Sequence, residues 1–159
     1  MTVQITDRMI GCYRIGDPES KYPIFDASGS VISPGRWNTS NSPCIYTSEH
    51  YSTAMLEKLV HGNGHLPPNQ HFVTITIPTG ISYEMVTKDS LFGWDTKEPN
   101  KSQNFGEKWL KKKRSVILMV PCYVARMEQN IIINPLHSEF NKIEYSLPEP
   151  VWWDDRLFF

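Results

Sequence analysis

The sequence lacks the features that mark secreted, membrane-spanning and disulfide-bonded proteins. It has only three cysteines, Cys12, Cys44 and Cys122, at wide spacings and without a Cys-x-x-Cys pair. An odd, scattered set of this kind argues against a disulfide framework and against a cysteine zinc site. No stretch approaches the roughly 18 apolar residues that a membrane-spanning helix needs, and no basic segment followed by an apolar run opens the chain. We therefore expect a cytoplasmic protein that does not bind a membrane.

An excess of either charge is also absent. Lys and Arg total 16 against 17 Asp and Glu, and the formal net charge of -1 provides no general attraction to a polyanion. The basic run at 111–114 ends a predicted helix, where positive charges complement the helix dipole. No aromatic platform or RNA-binding motif accompanies it. We predict no direct binding of nucleic acid by this chain.

The residues that are present are those of a packed globular protein. Hydrophobic residues make up 40% of the 159 residues and aromatic residues 12%, which is enough for one hydrophobic core. No internal repeat, low-complexity segment or linker divides the chain. We therefore predict a single compact domain over residues 1–159.

Apolar patterning predicts more strands than helices. Alternating or continuous apolar runs bounded by Gly and Pro predict short strands at 12–15, 44–47, 72–77, 81–86, 115–120, 130–134 and 151–153. A long loop is predicted between the first two, at 16–34. Helices are predicted at 49–61, with Ser48 as its cap, and at 102–112, with Ser102 as its cap. This pattern predicts an α+β fold, with a mixed or antiparallel sheet and a few helices.

The segment from Gly35 to Glu57 carries the most informative polar residues. Arg36 lies between a glycine and Trp37, so its planar fork is presented beside a flat ring and could hold a diphosphate or a carboxylate. Tyr46 ends a predicted strand, where its ring could stack on a nicotinamide or a base. Each has a plainer interpretation: Arg36 as a loop residue stacked on Trp37 or paired with a surface acid, and Tyr46 as a core residue whose hydroxyl is satisfied.

Two other side chains have both a chemical and a structural interpretation. Glu57 lies off the apolar stripe of its predicted helix, which Met55 and Leu59 represent, so periodicity alone predicts a solvated glutamate. Cys122 follows a buried strand, and His137 lies fifteen residues later, so a cysteine–histidine nucleophilic pair must be considered beside a simple buried thiol.

His61, His65 and His71 could bind a metal only if the intervening glycines did not break their helix. We predict no metal site.

The order of these segments resembles that of the RES domain family over nearly the whole chain. The resemblance rests on Tyr13-Arg14, Gly35-Arg36-Trp37-Asn38, Tyr46, Ala54, Glu57, Val120-Pro121, Asn130, Asn134-Pro135, His137 and Asp155-Arg156-Leu157. The family is named after an arginine, a glutamate and a serine, and these positions correspond here to Arg36, Glu57 and Cys122. Cys122 departs from the family pattern, because a thiol is larger than a hydroxyl and a weaker hydrogen-bond donor.

The resemblance implies an ADP-ribosyltransferase-toxin-like fold and a bacterial toxin that cleaves the nicotinamide–ribose bond of NAD. NAD would be its substrate rather than a cofactor, and inorganic phosphate would be a co-substrate if the reaction is phosphorolysis rather than hydrolysis. Loss of NAD would arrest growth. The family also implies a Xre-like helix-turn-helix antitoxin that covers the active site, and a homodimer within a larger toxin–antitoxin assembly.

The resemblance also implies residue roles. Glu57 would bind the ribose hydroxyls, Arg36 would hold phosphate, Tyr46 would orient the nicotinamide, and Cys122 would take the place of the serine. The substrate-binding set is completed by Arg14, Trp37, Asn38, Asn134 and His137. The alternatives are an ADP-ribosyltransferase that modifies a protein, a catalytically decayed antitoxin-binding module, and a cysteine hydrolase.

Overall fold

The computed structural model describes residues 2–158. Nine strands form its central sheet: β1 (Gln4–Ile5), β2 (Ile10–Gly16), β3 (Ile45–Ser48), β4 (His71–Ile77), β5 (Ser82–Met85), β6 (Ile117–Pro121), β7 (Gln129–Ile133), β8 (Glu144–Tyr145) and β9 (Glu149–Pro150). Three α-helices accompany them: α1 (Ser28–Ile32), α2 (Tyr51–His61) and α3 (Asn100–Lys112). No helix among residues 2–158 is long and apolar enough to cross a membrane.

The sheet is mixed. Its strand order is β1-β5-β6-β7-β3-β2-β4-β8, and β9 also pairs with β4. Only the β5–β6 pair is parallel among the described strands, and the other pairs are antiparallel. Because strands form one continuous sheet and the helices lie outside it, the predicted α+β class with a mixed or antiparallel sheet is confirmed.

The centre of the sheet is formed by β6 and β7, which contain the longest apolar runs. All five residues of β6 are buried, and so are Ile131, Ile132 and Ile133 of β7. Ile131 and Ile133 pack on one face with Ile75 and Ile117, whereas Ile132 and Leu118 pack on the other face beneath Trp109 of α3. Burial of both faces explains why these strands are continuously apolar rather than alternating.

The sheet is weakly joined between β2 and β3. The register of this pair contains one residue pair, Tyr13 with Ser48, whereas β2 pairs with β4 over seven residues, from Ile10 to Gly16. The helix α2 contacts both β2 and β3. The sheet therefore has an opening between β2 and β3, and this opening lies beneath α2, the helix that carries Glu57.

Several predicted elements differ from the structure at their ends. Ser48 belongs to β3, and His50 precedes α2 without a side-chain cap. Ser102 lies inside α3, where its hydroxyl donates to the carbonyl of Trp94 instead of capping the helix. The predicted strand at 151–153 is wrong, because the strand that pairs with β4 is Glu149–Pro150 and residues 151–154 are irregular. The predicted loop at 16–34 contains the short helix α1.

Candidate functional site

Glu57 lies in a hydrogen-bonded cluster that joins α2, β3, β7 and the turn after β6. Its Oε1 accepts a hydrogen bond from Asn130 Nδ2 at 2.8 Å and one from Cys122 Sγ at 3.1 Å. Ser48 Oγ donates to Asn130 Oδ1 at 3.0 Å, which fixes which way the amide of Asn130 faces. These four residues form the Glu57 cluster.

One oxygen of Glu57 is held while the other remains available. Both donors of the cluster bind Oε1, and Oε2 lies 3.8 Å from Nε2 of the exposed His61 side chain. The Glu57 side chain is 25% exposed. A carboxylate with one fixed oxygen and one accessible oxygen can bind the hydroxyls of a ligand and stabilise a nearby positive charge.

The inward position of Glu57 corrects the periodicity analysis. The buried residues of α2 are Thr53 and Ala54, whereas Leu56 is 42% exposed and Val60 is 47% exposed. Residues three and four apart lie on one helix face, so Glu57 follows Thr53 and Ala54 toward the sheet. The apolar residues alone therefore indicate the wrong inward face of α2. The residues that face the sheet are the small Thr53 and Ala54, followed by the carboxylate Glu57.

The thiol of Cys122 acts as a hydrogen-bond donor in this cluster. Its side chain is buried, and burial together with the nearby Glu57 carboxylate raises the pKa of the thiol to about 11. The thiol therefore keeps its proton at neutral pH and is a poor nucleophile. The backbone N–H of Ala125 donates to Cys122 Sγ at 3.4 Å, which closes the turn after β6.

The cysteine–histidine pair, which the spacing only left open, does not form within residues 2–158, because the Cys122 thiol donates to Glu57. Asn130 and Asn134 lie at the start of β7 and just after its end, so about 13 Å of strand separates the Glu57 cluster from the segment that carries His137. His137 Nδ1 accepts from the backbone N–H of Glu139 at 3.0 Å. A Cys122–His137 hydrolase is therefore wrong for this structure, and His137 lies outside the site.

Trp37, Asn38 and Asn134 are buried in structural positions. Trp37 is 3% exposed and packs with the residues under α3, and Asn38 is 0% exposed with its amide donating to the carbonyls of Ser30, Thr39 and Ser42. Asn134 is 1% exposed, and its amide donates to the carbonyl of Leu110. These three side chains have almost no surface for a ligand. We therefore correct their predicted substrate contacts to structural roles.

Tyr46 fastens the Arg36 segment to the sheet. Its hydroxyl donates to Asn38 Oδ1 at 2.7 Å and accepts from the backbone N–H of Trp37 at 2.9 Å. A Cβ added at Gly35 would lie 2.7 Å from the Tyr46 hydroxyl, so only glycine permits this approach. The ring is half-buried. Since both hydrogen bonds of the hydroxyl are used, only the ring of Tyr46 remains for the predicted contact with a ligand.

Arg36 is presented against a tyrosine that follows Cys122. Its guanidinium carbon lies 3.9 Å from the ring centroid of Tyr123, and its Nη1 donates to the carbonyls of Trp94 at 3.1 Å and Thr96 at 2.7 Å. Among residues 2–158, Arg36 therefore neither stacks on Trp37 nor pairs with a surface acid, which were its plainer interpretations. Tyr123 follows Cys122 in the chain, so Arg36 contacts the residue next to a member of the Glu57 cluster.

Arg14 lies in the opening between β2 and β3. Its Nε donates to the carbonyl of Ile24 at 2.6 Å and its Nη1 to the carbonyl of Tyr46 at 2.9 Å. Burial lowers the pKa of the Arg14 guanidinium, and burial followed by the charge of Arg14 lowers the pKa of Lys58. Lys58 follows Glu57 on α2. A second positive region therefore lies beside the site, where the sheet opens.

Two residues of the basic run at 111–114 form ion pairs within the protein. Arg114, the last residue of the basic run, donates from Nε to the buried carboxylate of Glu84 at 3.0 Å, and Lys111 pairs with Glu107. Among residues 2–158, no group of three or more His, Cys, Asp or Glu side chains has the arrangement of a metal site.

Local sequence patterns give no functional signal for Ser48 and Asn130 of the cluster, or for Tyr123 and Arg126 beside it. Arg126 lies 4.6 Å from the ring centroid of Tyr123. Ser48 was predicted to cap a helix, and Asn130 begins an apolar strand, where a polar residue gives no local signal of its partner. Only the resemblance to the RES family, which includes Asn130, pointed toward that residue.

Comparison with known proteins decides the family. The RES domain family model matches residues 12–154. This chain belongs to the RES domain family. The matched range contains every residue of the Glu57 cluster together with Arg14, Arg36 and Tyr46. The chain is thus a RES-domain protein of the kind found in toxin–antitoxin systems, which confirms the resemblance.

Similar proteins are themselves toxins. The chain is 32% identical over 152 residues to the Prs ADP-ribosylating toxin of Sphingobium sp. (strain YBL2), covering 91% of this chain and 94% of that protein. It is 28% identical over 133 residues to Toxin Res of Photorhabdus laumondii subsp. laumondii, covering 82% of this chain and 85% of that protein.

The fold also has a solved counterpart. A chain in the crystal structure of the M. tuberculosis MbcT-MbcA toxin-antitoxin complex superposes with a TM-score of 0.70 at 14% identity. The superposition covers 92% of this chain and 86% of that chain. The two chains therefore share their overall architecture.

Proposed function

We propose that this RES-domain protein is a toxin that cleaves the nicotinamide–ribose bond of NAD at the Glu57 cluster. The observation that carries the proposal is the Glu57 carboxylate, whose Oε1 is fixed by Asn130 and Cys122 while Oε2 remains available. Nicotinamide in NAD is a cationic leaving group, so bond cleavage needs an environment that favours a positive ribose more than it needs a strong acid. A preorganised carboxylate supplies that environment.

In hydrolysis the bond between ribose C1′ and the nicotinamide nitrogen breaks, and its electron pair leaves with nicotinamide. Oε2 of Glu57 binds the ribose hydroxyls and stabilises the oxocarbenium-like transition state. The oxygen of water forms the new bond to C1′ and releases a proton. The products are nicotinamide, ADP-ribose and a proton. If phosphate replaces water as the acceptor, the second product is the 1″-phosphate of ADP-ribose.

Cys122 contributes a hydrogen bond rather than a covalent bond in this scheme. Its thiol is protonated at neutral pH, with a pKa raised to about 11, and donates to the same oxygen of Glu57 as Asn130 does. A serine hydroxyl at this position would donate in the same direction and more strongly. The replacement of the family serine by cysteine is therefore compatible with activity.

A second candidate function transfers ADP-ribose to a protein. The Sphingobium relative is named an ADP-ribosylating toxin, and the same cluster can act with a protein nucleophile in place of water. The two functions share the first bond cleavage and differ only in the acceptor. Incubation with biotinylated NAD and a bacterial lysate would distinguish them, because only transfer labels a protein band.

We also propose an antitoxin partner for this chain. The support is the likeness in fold to a chain of a toxin–antitoxin complex; a Xre-like helix-turn-helix partner and a homodimer remain what the family resemblance implies. Inducible expression of the chain alone in a bacterial host should arrest growth, and Glu57→Gln should not. A harmless wild-type protein would instead favour a catalytically decayed binding module.

The reaction is tested by product analysis of the purified chain. Nicotinamide, ADP-ribose and its phosphate are separated by chromatography after incubation with NAD, with and without inorganic phosphate. Glu57→Gln, which keeps the shape and removes the charge, should lower the rate by about a hundredfold or more. The matched control is Glu144→Gln on the exposed strand β8, which should leave the rate unchanged. Equal rates in the two variants would contradict the role of Glu57.

A further inference from the structure

Two arginines share one aromatic ring at the edge of the Glu57 cluster. The guanidinium carbons of Arg36 and Arg126 lie 3.9 Å and 4.6 Å from the ring centroid of Tyr123. Arg126 also lies 5.1 Å from the ring centroid of Trp94, whose ring meets that of Tyr123 edge-on. We call Arg36, Tyr123, Arg126, Trp94 and Asp95 the Tyr123 stack. Both guanidinium groups therefore contact the same aromatic ring.

The positive charge of this stack is only partly neutralised. Arg126 Nη1 pairs with Asp95 at 3.0 Å, whereas Arg36 forms no ion pair with a carboxylate among residues 2–158, and its contacts there are backbone carbonyls. Two guanidinium groups against one carboxylate leave a net positive charge. This positive charge favours the binding of an anion beside the stack.

Both guanidinium groups retain unused donors. Arg36 uses Nη1 for its two carbonyls, and Arg126 uses Nε for the carbonyl of Tyr123 and Nη1 for Asp95. Within residues 2–158, Nη2 of each arginine donates to no protein acceptor, and neither does Nε of Arg36. An arginine carries five N–H donors in a rigid fork. Each arginine can therefore still donate to a phosphate oxygen.

The position of the stack suits one part of a dinucleotide. Tyr123 follows Cys122, so their Cα atoms are about 3.8 Å apart, and Cys122 donates to Glu57. A ligand whose nicotinamide ribose lies at Glu57 extends next into its 5′-diphosphate. Two guanidinium forks held against one ring offer donors to both phosphates of a diphosphate, whereas a single phosphate can use fewer of them.

We propose that Tyr123 and Arg126, together with Arg36, form a diphosphate-binding site that makes the protein select a dinucleotide over a mononucleotide. This inference rests on the proposed cleavage of NAD for the identity of the ligand, and its own content is the preference for a diphosphate. Arg126 supplies the second guanidinium, and the ring of Tyr123 fixes the spacing of the two. Asp95 limits the positive charge and keeps Arg126 in place when no ligand is bound.

The direct test is binding of ADP and AMP, measured by titration calorimetry at low salt. The wild-type protein should bind ADP more tightly than AMP by about tenfold or more, since hydrogen bonds to charged groups are involved. Arg126→Gln should lose most of that preference while AMP binding changes little. Tyr123→Phe should keep the preference because the ring remains, whereas Tyr123→Ala should lose it. Arg156→Gln is the matched control, because Arg156 is an exposed arginine paired with Asp154 outside the stack.

The outcomes separate this inference from the proposed function. Equal binding of ADP and AMP by the wild-type protein, or an unchanged preference in Arg126→Gln, would overturn the diphosphate site and leave a purely structural stack. Nicotinamide release from NAD and from nicotinamide mononucleotide gives the second readout. Arg126→Gln should raise KM for NAD about tenfold with little effect on kcat, and should leave the mononucleotide unaffected. If the wild-type protein cleaves neither compound, the proposed function fails, and the calorimetry still decides the diphosphate site.

Discussion

Replacing Asn130 with aspartate tests how Glu57 is held. The substitution keeps the size of the side chain and replaces the amide nitrogen, which lies 2.8 Å from Glu57 Oε1, with an oxygen. A charge-assisted hydrogen bond becomes a contact between two carboxyl groups. Loss of a hydrogen bond to a charged group corresponds to about 1.5–3 kcal/mol. This predicts a fall in kcat of roughly ten- to a hundredfold at neutral pH.

The pH profile distinguishes this effect from simple misfolding. Two carboxyl groups in contact cannot both ionise easily, so the pair retains a proton to higher pH than one carboxyl would. If cleavage needs ionised Glu57, the rising limb of kcat against pH should move to higher pH in Asn130→Asp. In Asn130→Ala the limb should stay closer to that of the wild type, although kcat falls.

The assay is nicotinamide release over a range of pH, with thermal melting to confirm that each variant folds. Ser48→Ala is the accompanying variant, because it removes the hydrogen bond at 3.0 Å that orients the Asn130 amide and touches no other member of the cluster. It should lower kcat less than Asn130→Asp does and leave the pH profile in place. A pH profile of Asn130→Asp identical to that of the wild type would refute the role assigned to Asn130.

Three further predictions concern packing, a buried ion pair and the thiol. Gly106→Ala would place a Cβ 1.7 Å from the carbonyl oxygen of Trp37. We expect it to lower the free energy of unfolding, measured by urea denaturation, by roughly 1–3 kcal/mol, although alanine has the better helix propensity. An unchanged urea midpoint would contradict the close approach of α3 to Trp37. Arg114→Met would leave Glu84, which is 0% exposed, without its cation, and should lower the free energy of unfolding by about 3–5 kcal/mol. An unchanged free energy of unfolding would show that the ion pair is dispensable. Cys122→Ser should retain or increase the rate of nicotinamide release, and Cys122→Ala should lower it by about tenfold; inactivity of Cys122→Ser would point to an essential thiol.

The pattern of apolar residues predicts a strand correctly where it directly reflects which faces of the strand are buried. The alternation at 72–77 and the continuous apolar runs at 115–120 and 130–134 correspond to β4, β6 and β7. These segments are buried on one or both faces, and a buried face requires apolar residues, so their sequence indicates their position in the sheet. Helix ends were less accurate, because Ser48 and Ser102 bond to partners distant in sequence instead of capping a helix.

The site was predictable in part, and only through the order of motifs. Glu57 and Cys122 do meet, but periodicity placed Glu57 on the solvent side because the inward face of α2 is formed by small residues. The stacking of Arg36 on Tyr123 joins segments 87 residues apart in the chain. No local pattern encodes such a contact, since it depends on how α3 and the turn after β6 pack against the loop that carries Arg36.

The burial of Trp37 and Asn38 has a similar origin. Both lie in a polar, glycine-containing segment that predicts a surface loop, and such loops often carry function. In the structure the loop passes under α3, where Gly106 allows the close approach of Trp37, and Asn38 satisfies the backbone of its neighbours. The loop therefore presents Arg36 because the two residues after it are fixed in the core.

The most direct test of the central claim is the stoichiometry of NAD loss and nicotinamide release by the purified wild-type chain, measured beside Glu57→Gln. We predict one nicotinamide for each NAD consumed, and a rate at least about a hundredfold lower in Glu57→Gln with unchanged thermal stability. No loss of NAD by the folded wild-type protein, in buffer with or without phosphate, would contradict the assignment of the Glu57 cluster as a site of NAD cleavage.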